Sequence, residues 1–227
     1  MNVTSSSLTK AAGAAAAAAG AIFIAVQIGH PHVDATSIQT TQMAVRDTLK
    51  VLMAALALAG ITGMYLSQVR RNGVLGLAGY LVLSAGYLMI MGTTYVAAFV
   101  LPAVAASNPG YANDVIKVTT TGGSPVGDIG ALATVAQVQG IAYLAGGLLF
   151  GIALFRARVL ARWAAVLLAV GGAVSAALSV MPDAFYRLLA FPNGIAMIGL
   201  GISLWLSQRK TSPVQTSAPR ADAAAVR

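Results

Sequence analysis

Residues 51–101 read VLMAALALAGITGMYLSQVRRNGVLGLAGYLVLSAGYLMIMGTTYVAAFVL. Two apolar runs, Val51 to Val69 and Val74 to Leu101, flank a short polar break, Arg70-Arg71-Asn72-Gly73. A helix rising 1.5 Å per residue needs about 17–20 apolar residues to cross roughly 30 Å of hydrocarbon, and each run supplies them. The stretch therefore predicts two antiparallel membrane helices turned at a pair of arginines, which sets the class as all-α. The rest of the chain repeats the pattern. Ala11 to Ile28, Ile129 to Phe155, Val159 to Val180 and Phe185 to Leu206 are four further apolar runs. Six spans then form a single transmembrane bundle over residues 1–210. The third and fourth exceed the membrane thickness, so they must tilt or project.

Composition agrees. Of 227 residues, 58% are apolar and 9% charged, against about 25% charged in soluble domains. The chain has no cysteine and no glutamate, and two histidines. Disulfides, thiolate metal sites, iron–sulfur clusters and glutamate-based catalysis are thereby excluded. The first helix is expected to be retained. Only Lys10 gives its leading segment positive charge, its most apolar residues (Ile22, Phe23, Ile24) come late, and no clean A-x-A cleavage site precedes Gln27. Residues 211–227, rich in Ser, Thr, Pro and Ala, are expected to form a disordered cytoplasmic tail.

Basic residues set the orientation. With a cytoplasmic N-terminus, Lys10, Arg70, Arg71, Arg156, Arg158, Arg162, Arg209, Lys210, Arg220 and Arg227 lie inside, and only Arg46, Lys50, Lys117 and Arg187 lie outside. Cytoplasmic loops carry the excess of Lys and Arg, so both termini are expected in the cytoplasm. The formal charge of +8 is on this reading a topology signal. Nucleic-acid binding is not expected, because the cations sit scattered at helix ends rather than interleaved with aromatics on one surface.

Polar residues in the spans are unevenly placed. Toward the outer ends lie Gln27, Arg46 with Asp47 and Lys50, Thr93-Thr94-Tyr95, Thr134 with Gln137 and Gln139, Ser175 with Ser179, and Asn193 after Pro192. The inner half holds Tyr65, Ser67, Gln68, Tyr80, Ser84 and Ser203. Unpaired polar groups are costly in hydrocarbon, so this asymmetry predicts a cavity opening outward. Arg46, Thr94, Tyr95, Asp128, Thr134, Gln137, Asp183, Arg187 and Asn193 are the candidate ligand-binding residues. Arg46 would face Asp183 or Asp128 across the mouth, and Pro192-Asn193-Gly194 would break span six beside the cavity. The alternative is that Ser and Thr bond their own helix backbone and glutamines bridge neighbouring helices.

Several local motifs complete the reading. His30-Pro31-His32-Val33-Asp34 places three metal-ligating side chains at alternate positions of an extended segment, a weak candidate for zinc without an evident fourth ligand. No cofactor is expected. Thr36-Ser37-Ile38-Gln39 resembles a capping box opening an amphipathic helix, with Ile38, Gln42, Val45 and Leu49 as its apolar stripe, lying at the outer interface before span two. Between spans three and four, Asn108-Pro109-Gly110 signals a turn, Tyr111 to Val118 a short helix, and Thr119 to Gly127 a flexible loop, with Asp128 as the cap of span four. Gly73, Gly76 and Gly79, and Gly147-x-x-x-Gly151, are close-packing motifs, read as intramolecular. A weak repeat recurs at the inner ends of spans two, four and six: Gly63-Met64-Tyr65-Leu66, Gly151-Ile152-Ala153-Leu154 and Gly201-Ile202-Ser203-Leu204.

The stretch Phe150-Gly151-Ile152-Ala153-Leu154-Phe155-Arg156-Ala157-Arg158-Val159-Leu160-Ala161-Arg162-Trp163 resembles small multipass membrane proteins of actinobacteria, grouped in domain families of unknown function. The resemblance implies a fold and a bacterial plasma membrane, and it transfers no catalytic residue. In size and helix number alone, the chain is similar to integral-membrane terpene cyclases, from whose acid pattern it departs in having no glutamate. The functional expectation is a multipass protein whose outward cavity takes a mostly apolar small molecule or lipid. The alternatives are an enzyme using an aspartate acid on an isoprenoid or lipid substrate, and a structural subunit of a membrane complex. The bilayer is the expected partner, and the sequence sets no oligomeric state.

Overall fold

Thr4 opens the first helix with a reciprocal cap: the Ser7 amide donates to the Thr4 hydroxyl at 3.2 Å, and the Thr4 amide donates to the Ser7 hydroxyl at 3.0 Å. The computed structural model describes residues 4–178 and 190–208. Eight α-helices and no strand occur among them: α1 (Ser5–Ala25), α2 (Thr41–Leu66), α3 (Val69–Phe99), α4 (Leu101–Ser107), α5 (Pro109–Thr121), α6 (Leu132–Ala157), α7 (Arg162–Leu178) and α8 (Ala190–Ser207). A 3-10 turn, Ser37–Gln39, precedes α2. Five helices, α1, α2, α3, α6 and α8, are long and apolar enough to cross a membrane. The expected tail and the ends of spans five and six around residues 179–189 lie outside the described residues.

The long helices form a closed ring. Each packs on two neighbours in the order α1, α2, α3, α6, α7, α8 and back to α1, and successive members run in opposite directions. One end, here the hairpin end, holds the turns between α2 and α3 and between α6 and α7. The opposite, cap end holds α4, α5 and the 3-10 turn. Gly13 of α1 abuts Gly201 and Trp205 of α8, while Gly20 abuts Gly194. The two helices are therefore antiparallel, and the start of α1 lies beside the finish of α8 at the hairpin end.

Lipid gives helices no hydrophobic reason to associate, so small residues that admit close backbone approach do that work. A Cβ on Gly79 would stand 2.5 Å from the Phe150 amide nitrogen, which only a glycine tolerates at the α3–α6 crossing. Gly151 meets Ala165 and Ala169 of α7, and Gly201 meets Gly13 and Ala17 of α1. The repeated glycines Gly63, Gly151 and Gly201 are thus all helix-crossing points within one chain. Around them Met64, Phe150, Leu154, Leu200 and Leu204 are fully buried. Gly73 has a different role. Its φ of 58° and ψ of −163° end the first turn of α3 and start its main run at Val74.

Four local expectations are corrected. The segment before span two is not a separate interfacial helix, because α2 is continuous from Thr41, capped by the Thr40 hydroxyl. The expected stripe does not share one environment: Ile38 is buried while Val45 is 53% exposed, and Met43 and Asp47 are buried beside them. Thr36 does not cap the 3-10 turn; Asp34 Oδ1 accepts from the Thr36 and Ser37 amides instead, at 2.9 and 2.7 Å. Asp128 does not cap α6, which begins at Leu132; its carboxylate accepts from Gly130 N at 2.7 Å. In α8 the helix runs unbroken through Pro192-Asn193-Gly194.

The cap has its own core. Ile38, Met43, Leu101, Ala105, Ala112, Val115, Ile116 and Ile129 form a second buried cluster, distinct from that of the ring. Asn108 starts α5 by accepting from the Tyr111 amide at 3.1 Å, with Pro109 following, and Gly122 ends it in the left-handed conformation at φ 68°. Asn113 Oδ1 accepts from the Ala35 amide at 2.8 Å, tying α5 to the segment after α1.

Candidate functional site

Three turns of α2 bring charge to the cap end. On a helix, positions three apart share a face, and Lys50 Nζ lies 2.7 Å from Asp47 Oδ1 with Asp47 only 3% exposed. Lys50 also lies 3.4 Å from His30 Nε2, and His30 Nδ1 lies 2.9 Å from the Pro31 carbonyl oxygen. With Nδ1 as the donor to that carbonyl, Nε2 is the acceptor for the Lys50 ammonium. Arg46, one position before Asp47, turns elsewhere. Its guanidinium donates to the carbonyls of Val26 (2.6 Å), Ile28 (3.0 Å) and Gly29 (3.0 Å). These carbonyls lie just past the end of α1, where no further helical turn supplies a donor and a cation is favoured.

Beneath the cap lie two cavities. The first, about 450 Å³, is lined by His30, His32, Asp34, Asp47, Lys50, Thr93, Thr94, Asn113 and Lys117, with Ile38, Met43 and Leu101. The second, about 640 Å³, is lined by Phe23, Met53, Tyr87, Ile90, Ala136, Ile141, Tyr143 and Leu144, with Gln137 and Asn193. Gln27, Thr119, Thr120 and Gln139 line both. The spaces therefore meet at these four side chains, one ionisable and hydroxylated, the other aliphatic and aromatic. Each volume is within the range of about 300–1,000 Å³ common to small-molecule sites. Tyr87 and Tyr143 meet edge to face, centroids 5.5 Å apart, in the apolar wall.

The sequence-derived candidates separate into groups. Thr94 lines the first cavity, and Gln137 and Asn193, the latter 3% exposed, line the second. Arg46 lines neither and is held by the α1 carbonyls, so it does not face Asp128. Tyr95 is 53% exposed and packs on Phe99, with ring centroids 4.9 Å apart. Thr134 is exposed and lines neither cavity, and Asp128 serves its own loop. Asp183 and Arg187 lie outside the described residues.

His30, His32 and Asp34 are not assembled as a metal site. No group of three metal-ligating side chains is suitably placed among the described residues. The Asp34 carboxylate is engaged by the Ser37 and Thr36 amides, which hold it below the usual carboxylate range. Asp114 is similarly lowered by the Val126 and Gly127 amides and pins the loop after α5. Comparison of the chain with known protein families, curated proteins and solved structures finds no match.

Proposed function

We propose that this chain is a six-span membrane protein whose cap-end cavities hold an amphiphilic small molecule or lipid, its polar end in the first cavity and its apolar body in the second. α7, with 17 residues, closes the ring between α6 and α8 and supplies the sixth crossing. The observation that carries the reading is the junction: Gln27, Thr119, Thr120 and Gln139 belong to both cavities, joining a compartment lined by charged side chains to one lined by none. Such a composite space suits a ligand with one polar end. The aspartates do not favour acid catalysis, since Asp47 is paired with Lys50 and Asp34 with amides.

A density map of protein taken from its membrane in mild detergent tests this. Elongated density is expected from Thr94 past Gln139 to Ile141; side chains collapsed into an empty, closed space would refute it. The hairpin end carries six described cations, Lys10, Arg70, Arg71, Arg156, Arg158 and Arg162, and the cap end three, Arg46, Lys50 and Lys117, with Asp34, Asp47, Asp114 and Asp128. This supports an orientation with the hairpin end and both termini cytoplasmic, in a membrane we take to be the bacterial plasma membrane. Reporter fusions should read as cytoplasmic at Gly73 and external at Asn108; the reverse would invert the assignment.

A further inference from the structure

We infer that the occupant carries an uncharged head bearing hydroxyl groups, an assignment of ligand class that rests on the two-compartment reading above. Four threonine hydroxyls line the polar cavity or its junction, and each has its proton committed. Thr94 donates to the Ile90 carbonyl at 2.6 Å, Thr119 to Val115 at 2.7 Å and Thr120 to Ile116 at 2.6 Å. Thr93 donates to Gln139 Oε1 at 2.8 Å, with the Ile90 carbonyl a second acceptor at 3.2 Å. A hydroxyl has one proton and two lone pairs, so these oxygens offer a ligand acceptors. Gln139 is oriented the other way. Its oxygen accepts from Thr93, which leaves its amide N–H groups as the donors it presents at the junction.

Charge points to the same class. Among the described residues the charged side chains lining the first cavity are Lys50, Lys117, Asp34 and Asp47, which balance when both histidines are neutral. Asp47 is already matched by Lys50, Asp34 by two amides, and Lys117 has the Asp114 carboxylate as a charge neighbour. A carboxylate or phosphate head, an acceptor only, would find donors in the lysines but would leave the threonine lone pairs unmatched. An ammonium, a donor only, would meet the Gln139 amide. A hydroxyl donates and accepts at once, and so can satisfy both sets. Mismatched buried polar groups are what a binding site discriminates against most strongly.

The test is titration of the purified full-length protein, followed by native mass spectrometry, with five single-tail probes. Two carry neutral dihydroxy heads of different origin, monooleoylglycerol and a prenylated hydroquinone. Three are controls: the dimethyl ether of monooleoylglycerol, oleic acid and oleylamine. At least one dihydroxy probe should bind about tenfold or more tightly than every control, and the stronger of the two identifies the source of the head. Thr120→Val, which removes a hydroxyl at nearly constant volume, should narrow that ratio. Oleic acid, oleylamine or the ether binding as tightly as both dihydroxy probes would overturn the assignment of the head while leaving the amphiphile cavity standing. Saturable binding of none of the five would overturn both.

Discussion

Lys50→Met should destabilise the protein by about 3 kcal/mol, measured as a shift in denaturant-induced unfolding of the detergent-solubilised protein. The residue removed is one half of an ion pair whose other half is almost fully buried. Lys50 keeps 21% of its side-chain surface exposed, and Asp47 keeps 4%. Removing one partner of a buried pair costs about 3–5 kcal/mol, because the remaining charge has no compensation; the lower end applies here since Lys50 is partly hydrated. Loss of the contact to His30 adds to the effect and loosens the segment from Gly29 to Asp34. The control is Lys50→Met combined with Asp47→Leu. With both charges gone, stability should return most of the way to that of the parent, since replacing a whole buried pair by apolar groups is often neutral. A Lys50→Met protein as stable as the parent would show that the pair is not desolvated at all.

Gln42 to Lys50 carry the apolar residues Val45 and Leu49 beside the charges, and in water the apolar side would be the packed one. In a bilayer the solvent is itself apolar, so Val45 and Leu49 can face outward while Asp47 and Lys50 turn toward the bundle and its cavity. Charged residues of membrane helices belong on that side. For Arg46 the sequence suggests an acidic partner, Asp183 or Asp128; the carbonyls past the end of α1 engage it in place of Asp128, and Asp183 lies outside the described residues.

Depth was legible, and rotation was not. The turn at residues 70–73 and the concentration of Gln, Thr and Asn at one end of the spans follow from composition along the chain. Whether Thr94 or Tyr95 lines a cavity depends on an angle of about 100° around α3, which is set by where Gly79 and Gly86 lock that helix to α6. The cap was the least legible part. Thr119 and Thr120 belong to the end of α5 rather than to a flexible loop, because that helix continues to Thr121, where Gly122 ends it in the left-handed conformation, and Asp114 then anchors the loop that follows. Tyr87 and Tyr143 gave no signal of their own, as aromatics within apolar runs are indistinguishable from ordinary packing residues.

Gly140 offers the most direct test of the cavity. It lines the second compartment on α6, and among the described residues a Cβ added there meets nothing within 4 Å. Substitution by phenylalanine therefore forces no backbone apart, unlike any change at Gly79. In a helix interior it also replaces the weakest helix former apart from proline, a gain of a few tenths of a kcal/mol. The benzyl group has the cavity to enter, and it should exclude an occupant in proportion to the space it takes. Gly140→Phe is expected to unfold no earlier than the parent and to lose at least tenfold in affinity for a bound amphiphile, about 1.4 kcal/mol. The decisive measurement is native mass spectrometry of the parent and Gly140→Phe proteins purified in parallel from the same membranes. The account predicts a lipid-sized adduct on the parent that is largely missing from the variant; equal adducts on both, with both equally stable, would contradict it.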